Sequence, residues 1–177
     1  MISIILPIYN GEKTLLNTLK SLQNQTVQKF ELIACIDGTN DGSEQILRDQ
    51  NDVKIKIIKN KQNLGLGRTL NRLISHCSPE TEYIAIAEQD DYYIPERLAL
   101  QMDVLDTHPK VGLVTGVAEH YDGKNSTYFP GLLAKGNSYP TDPIEMLKLN
   151  FREQIKVVQT CMMFRKSVHQ DNGLYFT

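Results

Sequence analysis

The stretch Tyr83-Ile84-Ala85-Ile86-Ala87-Glu88-Gln89-Asp90-Asp91 decides how this chain is read. A short apolar strand runs straight into three carboxylates within four positions. Carboxylates at the end of a buried strand repel one another and lose hydration, so the fold gains nothing from them unless a partner compensates the charge. Hard oxygen ligands of this kind suit Mg²⁺ or Mn²⁺, ions that usually arrive with the phosphates of a substrate. The competing reading is a solvated acidic loop, and the cluster alone does not separate the two.

Upstream, apolar β-branched runs alternate with helical patterns, the signature of a mostly parallel sheet covered by helices. Strand one is expected over Ile2–Leu6, strand two over Phe30–Ile36 and strand four over Tyr83–Ala87. Strand three, Lys54–Ile58, alternates with lysines and is expected nearer an edge. Between them lie helices from about Glu12 to Gln23, with Leu15, Leu16, Leu19 and Leu22 on one face, and from about Leu66 to His76. Another helix is expected to start at Asp41-Gly42-Ser43-Glu44, where Asp41 and Glu44 fit a capping box, and a further one with Pro95 at its first position. Beyond residue 110 the pattern reads as a strand at Val111–Thr115 and a hairpin over Val117–Phe129 turning at Asp122-Gly123. A loop over 130–140, a helix near Pro143–Leu149 and a strand near Thr160–Phe164 follow.

The chain of 177 residues suits one buried core rather than two. A net charge of −2 provides no basic field, so nucleic acid is not an expected partner. No apolar run reaches the roughly 18–20 residues of a membrane span, and the N-terminus lacks the basic start of a signal peptide. Cys35, Cys77 and Cys161 are odd in number and widely spaced, which fits buried thiols in a reducing compartment better than a disulfide or zinc frame. The expected location is cytoplasmic.

In open parallel sheets, ligands bind beyond the carboxyl ends of the strands, near a switch in strand order. Strand one delivers Pro7-Ile8-Tyr9-Asn10-Gly11 to that rim and strand two delivers Asp37-Gly38-Thr39-Asn40-Asp41. Strand three delivers the residues from Asn60 to Gly67, and strand four the acidic cluster. Right-handed crossovers place all four ends together. The convergence describes a hydrogen-bonding or aromatic slot, a carboxylate for a base or sugar, glycines near phosphates and a metal-binding pair.

These segments, in this order, resemble family 2 glycosyltransferases. The opening Ile4-Ile5-Leu6-Pro7-Ile8-Tyr9-Asn10 is similar to the family's first strand, and Asp37-Gly38-Thr39-Asn40-Asp41-Gly42 to its Asp-Asp-Gly-Ser-Thr-Asp segment. Asn63-Leu64-Gly65-Leu66-Gly67 with Arg68 resembles its next stretch, and Glu88-Gln89-Asp90-Asp91 its Asp-x-Asp-Asp motif. The resemblance covers nearly the whole chain. It implies an α/β GT-A fold: a Rossmann-like, mostly parallel sheet with helices on both faces, and a small hairpin-containing acceptor-side region. Residues 1–110 would be the nucleotide-sugar-binding half and 111–177 the start of the acceptor-binding half of a single domain. The implied reaction is inverting, metal-assisted transfer of a sugar, expected from a UDP-sugar, to a glycan or lipid-linked acceptor.

Carried over by position, the resemblance has Pro7 and Tyr9 line the nucleobase slot, and Asp37 hydrogen-bond the base. Asn63, Gly67 and Arg68 would flank the nucleotide. Asp90 would contact the ribose or the metal, and Asp91 would ligate the Mn²⁺ or Mg²⁺ that holds the diphosphate. His120 and Tyr121 on the hairpin are acceptor-side candidates.

Three departures bear on this expectation. Ile36 stands where the family has the first Asp of a pair, leaving Asp37 alone to read the base. Glu88 stands where an Asp often begins the acidic motif. The family's general base lies in an acidic pair shortly after a segment like Gly173-Leu174-Tyr175-Phe176, whereas the sequence ends at Thr177. Glu153 and Asp171 are the nearest carboxylates, and both read better as solvated surface. The expectation is therefore an N-terminal portion of a longer enzyme whose base lies beyond Thr177, and which as a full enzyme could sit at the inner face of the cell membrane. The alternative is a non-catalytic nucleotide-sugar-binding or interaction module on a degenerate GT-A fold.

Overall fold

The computed structural model describes residues 1–50, 55–129 and 158–177, with Asp142, Ile144, Glu145 and Lys148 between them. The chain begins with β1 (Ile2–Ile8), α1 (Leu15–Gln23), β2 (Phe30–Asp37), α2 (Ser43–Arg48), β3 (Ile55–Asn60), α3 (Leu66–Ser75), β4 (Tyr83–Ile86) and α4 (Arg97–Thr107). Then come β5 (Leu113–Val114), β6 (Ala118–Tyr121) and β7 (Ser126–Phe129), and finally β8 (Met163–Arg165) and α5 (Lys166–Asp171). Six strands form one sheet in the order β3-β2-β1-β4-β8-β5. The first four are mutually parallel, and β8 runs antiparallel to both β4 and β5. The lysine-bearing β3 lies at the edge, as its alternation predicts.

β1 and β4 are buried on both faces, which is why they read as continuous apolar runs rather than alternating ones. One face of the sheet packs Ile4, Leu6, Leu32, Ala34 and Ala85 against Leu15, Leu19 and Leu22 of α1 and Leu98 and Leu105 of α4. On the other face α3, with Leu70, Leu73 and Ile74 buried, packs against β1 and β2. Burying each such side chain contributes roughly 1.5–3 kcal/mol. Leu16 departs from expectation: it is solvent-exposed because it lies about 100° around the helix from Leu15, outside the 15-18-19-22 stripe that meets the sheet.

Several boundaries shift for local reasons. β1 continues through Pro7 to Ile8 instead of ending at Leu6. Ala87 donates to the Ile5 carbonyl, so Ile5 faces β4; by alternation Pro7 faces the same edge, beyond the last paired residue, Ile86. A missing N–H costs no ladder bond there. The capping box does not form. Gly42 precedes α2, Asp41 accepts from the N–H groups of Ser43 and Glu12, and Glu44 pairs with Arg48 and Lys59 instead of reaching back. Pro95 stands before α4 rather than inside it, its carbonyl accepting from the Thr26 N–H at 2.8 Å. The strand expected at Val111–Thr115 shortens to Leu113–Val114, and the last strand moves to Met163–Arg165.

Packing separates two units, Met1–Val114 with Met163–Thr177, and Thr115–Met162. The chain thus returns to the sheet after an internal excursion. Within the second unit β6 and β7 form the expected hairpin. Its turn is held by Asp122, whose carboxylate accepts the Lys124 and Asn125 N–H groups, and by Gly123 at φ 96°. The loop expected at 130–140, Glu153, and most of the helix expected near Pro143–Leu149 lie outside the described residues. All three cysteines are free, and burial pushes the Cys35 and Cys77 thiols up to about 11. Among the described residues no helix is long and apolar enough to cross a membrane.

Candidate functional site

The strand order reverses between β1 and β4: β2 and β3 lie on one side of β1, while β4 lies on the other. Such a switch point opens a crevice at the carboxyl ends of the strands. A cleft of about 290 Å³ occupies it. β1 contributes Pro7 and Ile8 to its lining, with Tyr9 just past its end, β2 contributes Asp37, the β3–α3 connection contributes Asn63 and Gly65, and α3 contributes its first residue, Leu66. The turn after β4 contributes Glu88, Gln89 and Asp90.

Asp37 is 4% exposed at the last position of β2. Its Oδ1 accepts from Asn60 Nδ2 at 2.6 Å and the Leu64 N–H at 2.9 Å, and its Oδ2 accepts from the Gly65 N–H at 3.2 Å. A carboxylate has about four acceptor positions, so one on Oδ2 remains for a ligand. Asp37 therefore both holds the β3–α3 connection and presents an acceptor to the cleft. Gly38 makes this possible. At φ 71° it occupies the left-handed region, and a Cβ there would lie 2.3 Å from main-chain atoms of Gln62 and Asn63.

Across the cleft, Tyr9 is 47% exposed, with its main chain tied to the Gln89 carboxamide. The acidic turn is braced from behind. The Thr18 hydroxyl lies 2.8 Å from the carbonyl oxygens of both Gln89 and Asp91, and the Glu88 N–H donates to the Tyr93 hydroxyl at 2.8 Å. The Arg97 guanidinium stacks on the Tyr93 ring and donates to the Ile86 carbonyl.

Carboxylate oxygens of Glu88, Asp90 and Asp91 all lie within 4.8 Å of one another. Ligands of a single Mg²⁺ at about 2.1 Å lie at most about 4.2 Å apart, within small side-chain rotations of this arrangement. The residues present therefore fit a divalent ion. Burial first, then the charges of Asp91 and Asp90, raise the Glu88 carboxyl above its ordinary range. A carboxyl raised in the folded state favours folding when protonated and costs stability once ionised. That cost develops as pH rises through the unfolded value and is complete above the folded one. Glu88→Gln is accordingly expected to raise the apo protein's Tm at neutral pH in a chelator. The gap should close below the ordinary carboxylate range, and thermal melts that instead show equal or lower Tm at pH 7 would refute it.

Of the sequence-derived site residues, the cleft gathers Pro7, Tyr9, Asp37, Asn63 and Asp90. Its lining does not include Gly67, Arg68 or Asp91. Gly67 lies in α3, where a Cβ would come within 2.8 Å of Thr177 main-chain atoms, so its smallness serves the close approach of the C-terminal segment. That segment is held by Asn71, which donates to the Phe176 carbonyl and accepts from its N–H. Arg68 is exposed on α3, and Asp91 enters through the acidic trio. His120 and Tyr121 are exposed on β6. Leu66 and Gln89 are additions the sequence did not single out. Neither carries a local signal, since a leucine or a glutamine beside a motif is compositionally ordinary.

The family model described as Glycosyl transferase family 2 matches residues 3–173. The Bacillus subtilis (strain 168) protein EpsE is 32% identical over 162 residues, covering 85% of this chain and 58% of EpsE. The Escherichia coli UDP-Glc:alpha-D-GlcNAc-diphosphoundecaprenol beta-1,3-glucosyltransferase WfgD is 29% identical over 105 residues, covering 59% of this chain and 41% of WfgD. Among solved structures, S. aureus TarS 1-349 in complex with UDP-GlcNAc superposes with a TM-score of 0.75 at 21% identity, covering 99% of this chain and 48% of that one. The chain spans about half the length of the relatives it matches.

Proposed function

We propose, from the premise that this chain belongs to glycosyl transferase family 2, that its cleft binds a UDP-sugar whose sugar is transferred, with inversion, to a glycan or lipid-linked acceptor. The observation that carries the reading is the pairing of two unlike ends in one cleft. Asp37 offers a single free acceptor position beside Tyr9 and Leu66, and the Glu88–Asp90–Asp91 trio lies on the other side of the strand switch. A uracil imide N–H fits the one position left on Asp37, and the exposed ring of Tyr9 offers the base an apolar face. The UDP-GlcNAc bound by TarS and the UDP-glucose donor in the name of WfgD support a UDP-sugar here.

Glu88, Asp90 and Asp91 would hold a Mn²⁺ or Mg²⁺, which supplies positive charge against the diphosphate. In an in-line displacement the acceptor oxygen bonds the anomeric carbon, the carbon–oxygen bond to the diphosphate breaks, and its electron pair leaves with UDP. The acceptor proton goes to a base, a role none of the three carboxylates would take while holding the cation. Asp37, held by three donors, orients the uracil without moving during this step.

Titration calorimetry with UDP, with and without Mn²⁺, tests the reading. Binding is expected to strengthen with Mn²⁺. Asp90→Ala and Asp91→Ala should each remove that gain, losing at least the roughly 10–100-fold that even outer partners of a metal site cost. No UDP binding in either condition would favour a non-catalytic interaction module instead.

A further inference from the structure

The ladder between β1 and β4 ends where Ala87 donates to the Ile5 carbonyl. Two residues on, Pro7 faces the same edge with no N–H to offer, and two further on Tyr9 turns both its main-chain groups that way. Gln89 meets them. The Tyr9 N–H donates to Gln89 Oε1 at 2.8 Å, and Gln89 Nε2 donates to the Tyr9 carbonyl at 2.8 Å. In a primary carboxamide the carbonyl oxygen and the N–H on the same side lie side by side in one plane, so this one side chain meets both main-chain groups of Tyr9 as a neighbouring strand would, and its second N–H is left over. It sits so close that a Cβ on Gly11 would lie 2.7 Å from Gln89 Oε1.

The loop it grips is not relaxed. Asn10, at φ 56°, is the non-glycine residue with positive φ among those described. That conformation costs on the order of 1 kcal/mol and persists only when held from outside. Gln89 holds Tyr9 on one side, and the Thr39 hydroxyl donates to Asn10 Oδ1 at 2.6 Å on the other. The main chain of Gln89 belongs to the acidic turn, flanked by Glu88 and Asp90 and pinned by Thr18.

We propose that Gln89 is a positioning residue that ties the base-binding end of the cleft to its acidic end, setting Tyr9 for the nucleobase. The proposal rests on the nucleotide-sugar reading above. It assigns Gln89 no contact with the cation and makes its carboxamide a determinant of nucleoside affinity beside Asp37. Glutamate cannot substitute, because an ionised carboxylate has no donor for the Tyr9 carbonyl and faces it with a second acceptor.

The test compares wild type with Gln89→Ala, Gln89→Met and Gln89→Glu in the full chain. Calorimetry reads UDP affinity in a chelator, and the spectrum of free Mn²⁺ reads Mn²⁺ affinity alone. Gln89→Ala should weaken UDP about tenfold and leave Mn²⁺ within twofold, as expected for losing two hydrogen bonds. Gln89→Met keeps length and packing without hydrogen bonding and should behave alike if the alanine variant folds poorly. Gln89→Glu should split the two readouts, with UDP weaker and Mn²⁺ tighter because a fourth carboxylate joins the turn. In hydrogen exchange the Tyr9 amide should be protected in wild type and lose that protection in all three variants. UDP affinity within twofold of wild type in the alanine and methionine variants would overturn the assignment. So would an equal loss of UDP and Mn²⁺, which marks collapse of the whole turn. A wild-type chain that binds no UDP either in the chelator or with Mn²⁺ would instead remove the donor reading itself, and this assignment with it.

Discussion

Gly38→Ala is expected to lower the unfolding free energy by roughly 2–6 kcal/mol, the sum of left-handed strain and overpacking. Folded domains are held by only about 5–15 kcal/mol, so this one methyl group threatens the native state. The obstruction is the Gln62–Asn63 peptide itself: the added carbon would lie 2.3 Å from the Gln62 carbonyl carbon and from the Asn63 nitrogen bonded to it. No rotamer can relieve such a clash, so the β3–α3 connection must lift away from β2. When it lifts, the Leu64 and Gly65 N–H groups leave Asp37, and Asn63 and Leu66 leave the cleft. Urea unfolding should give a markedly lower midpoint, and whatever remains folded should not bind UDP. A midpoint within experimental error of wild type would show that the connection yields freely, contrary to the packing described.

Asp37→Ala should combine a stability loss with loss of the ligand. Three donors converge on this carboxylate, those of Asn60, Leu64 and Gly65. Each buried donor left unpaired costs about 1–3 kcal/mol, so a loss of roughly 2–5 kcal/mol is expected once partial relaxation and water entry are allowed for. Asp37→Asn separates the two effects. It keeps one acceptor oxygen for the connection but turns an NH₂ toward groups that are themselves donors. UDP affinity should fall roughly 10–100-fold, the range for a hydrogen bond to a charged group, while the fold survives. Calorimetry on Asp37→Asn decides the matter. Unchanged UDP binding would remove Asp37 from the base slot and leave it a purely architectural carboxylate.

The parallel half of the sheet was legible because β1, β4 and most of β2 are buried and stand out as apolar runs, while the edge strand β3 shows itself by alternating with lysines, and each strand ends in polar residues. The same logic found the rim, since polar groups immediately after buried strands have few places to be except a crevice. What stayed hidden depended on distant partners. Nothing in Met163-Phe164-Arg165 announces that it will insert between β4 and β5 rather than add to an edge. Leu16 looks like its neighbours until the direction of the sheet is known. Gly67 sits in a motif-like run, yet its smallness is used by a segment more than a hundred positions away. Gln89 was invisible for the same reason: its role is a pair of bonds to Tyr9, eighty residues earlier. Local pattern reports what a residue can do, and tertiary contact reports what it is used for.

Pro7 sets the depth of the cleft by an atom it lacks. Any other residue there would point an N–H at the open edge beyond Ile86 and invite the chain after β4 to keep zipping along β1. The turn would then be drawn into the sheet as main chain, and the gap between the two strands would close like a seam sewn one stitch too far. Because the seam stops at Ile5 and Ile86, the strands part at the mouth of the cleft, and the next stitch is made by a side chain, that of Gln89, in place of main chain. For anyone wishing to cut a groove into a parallel sheet, this suggests placing a proline two residues past the last intended pair on the central strand, facing the strand that must part.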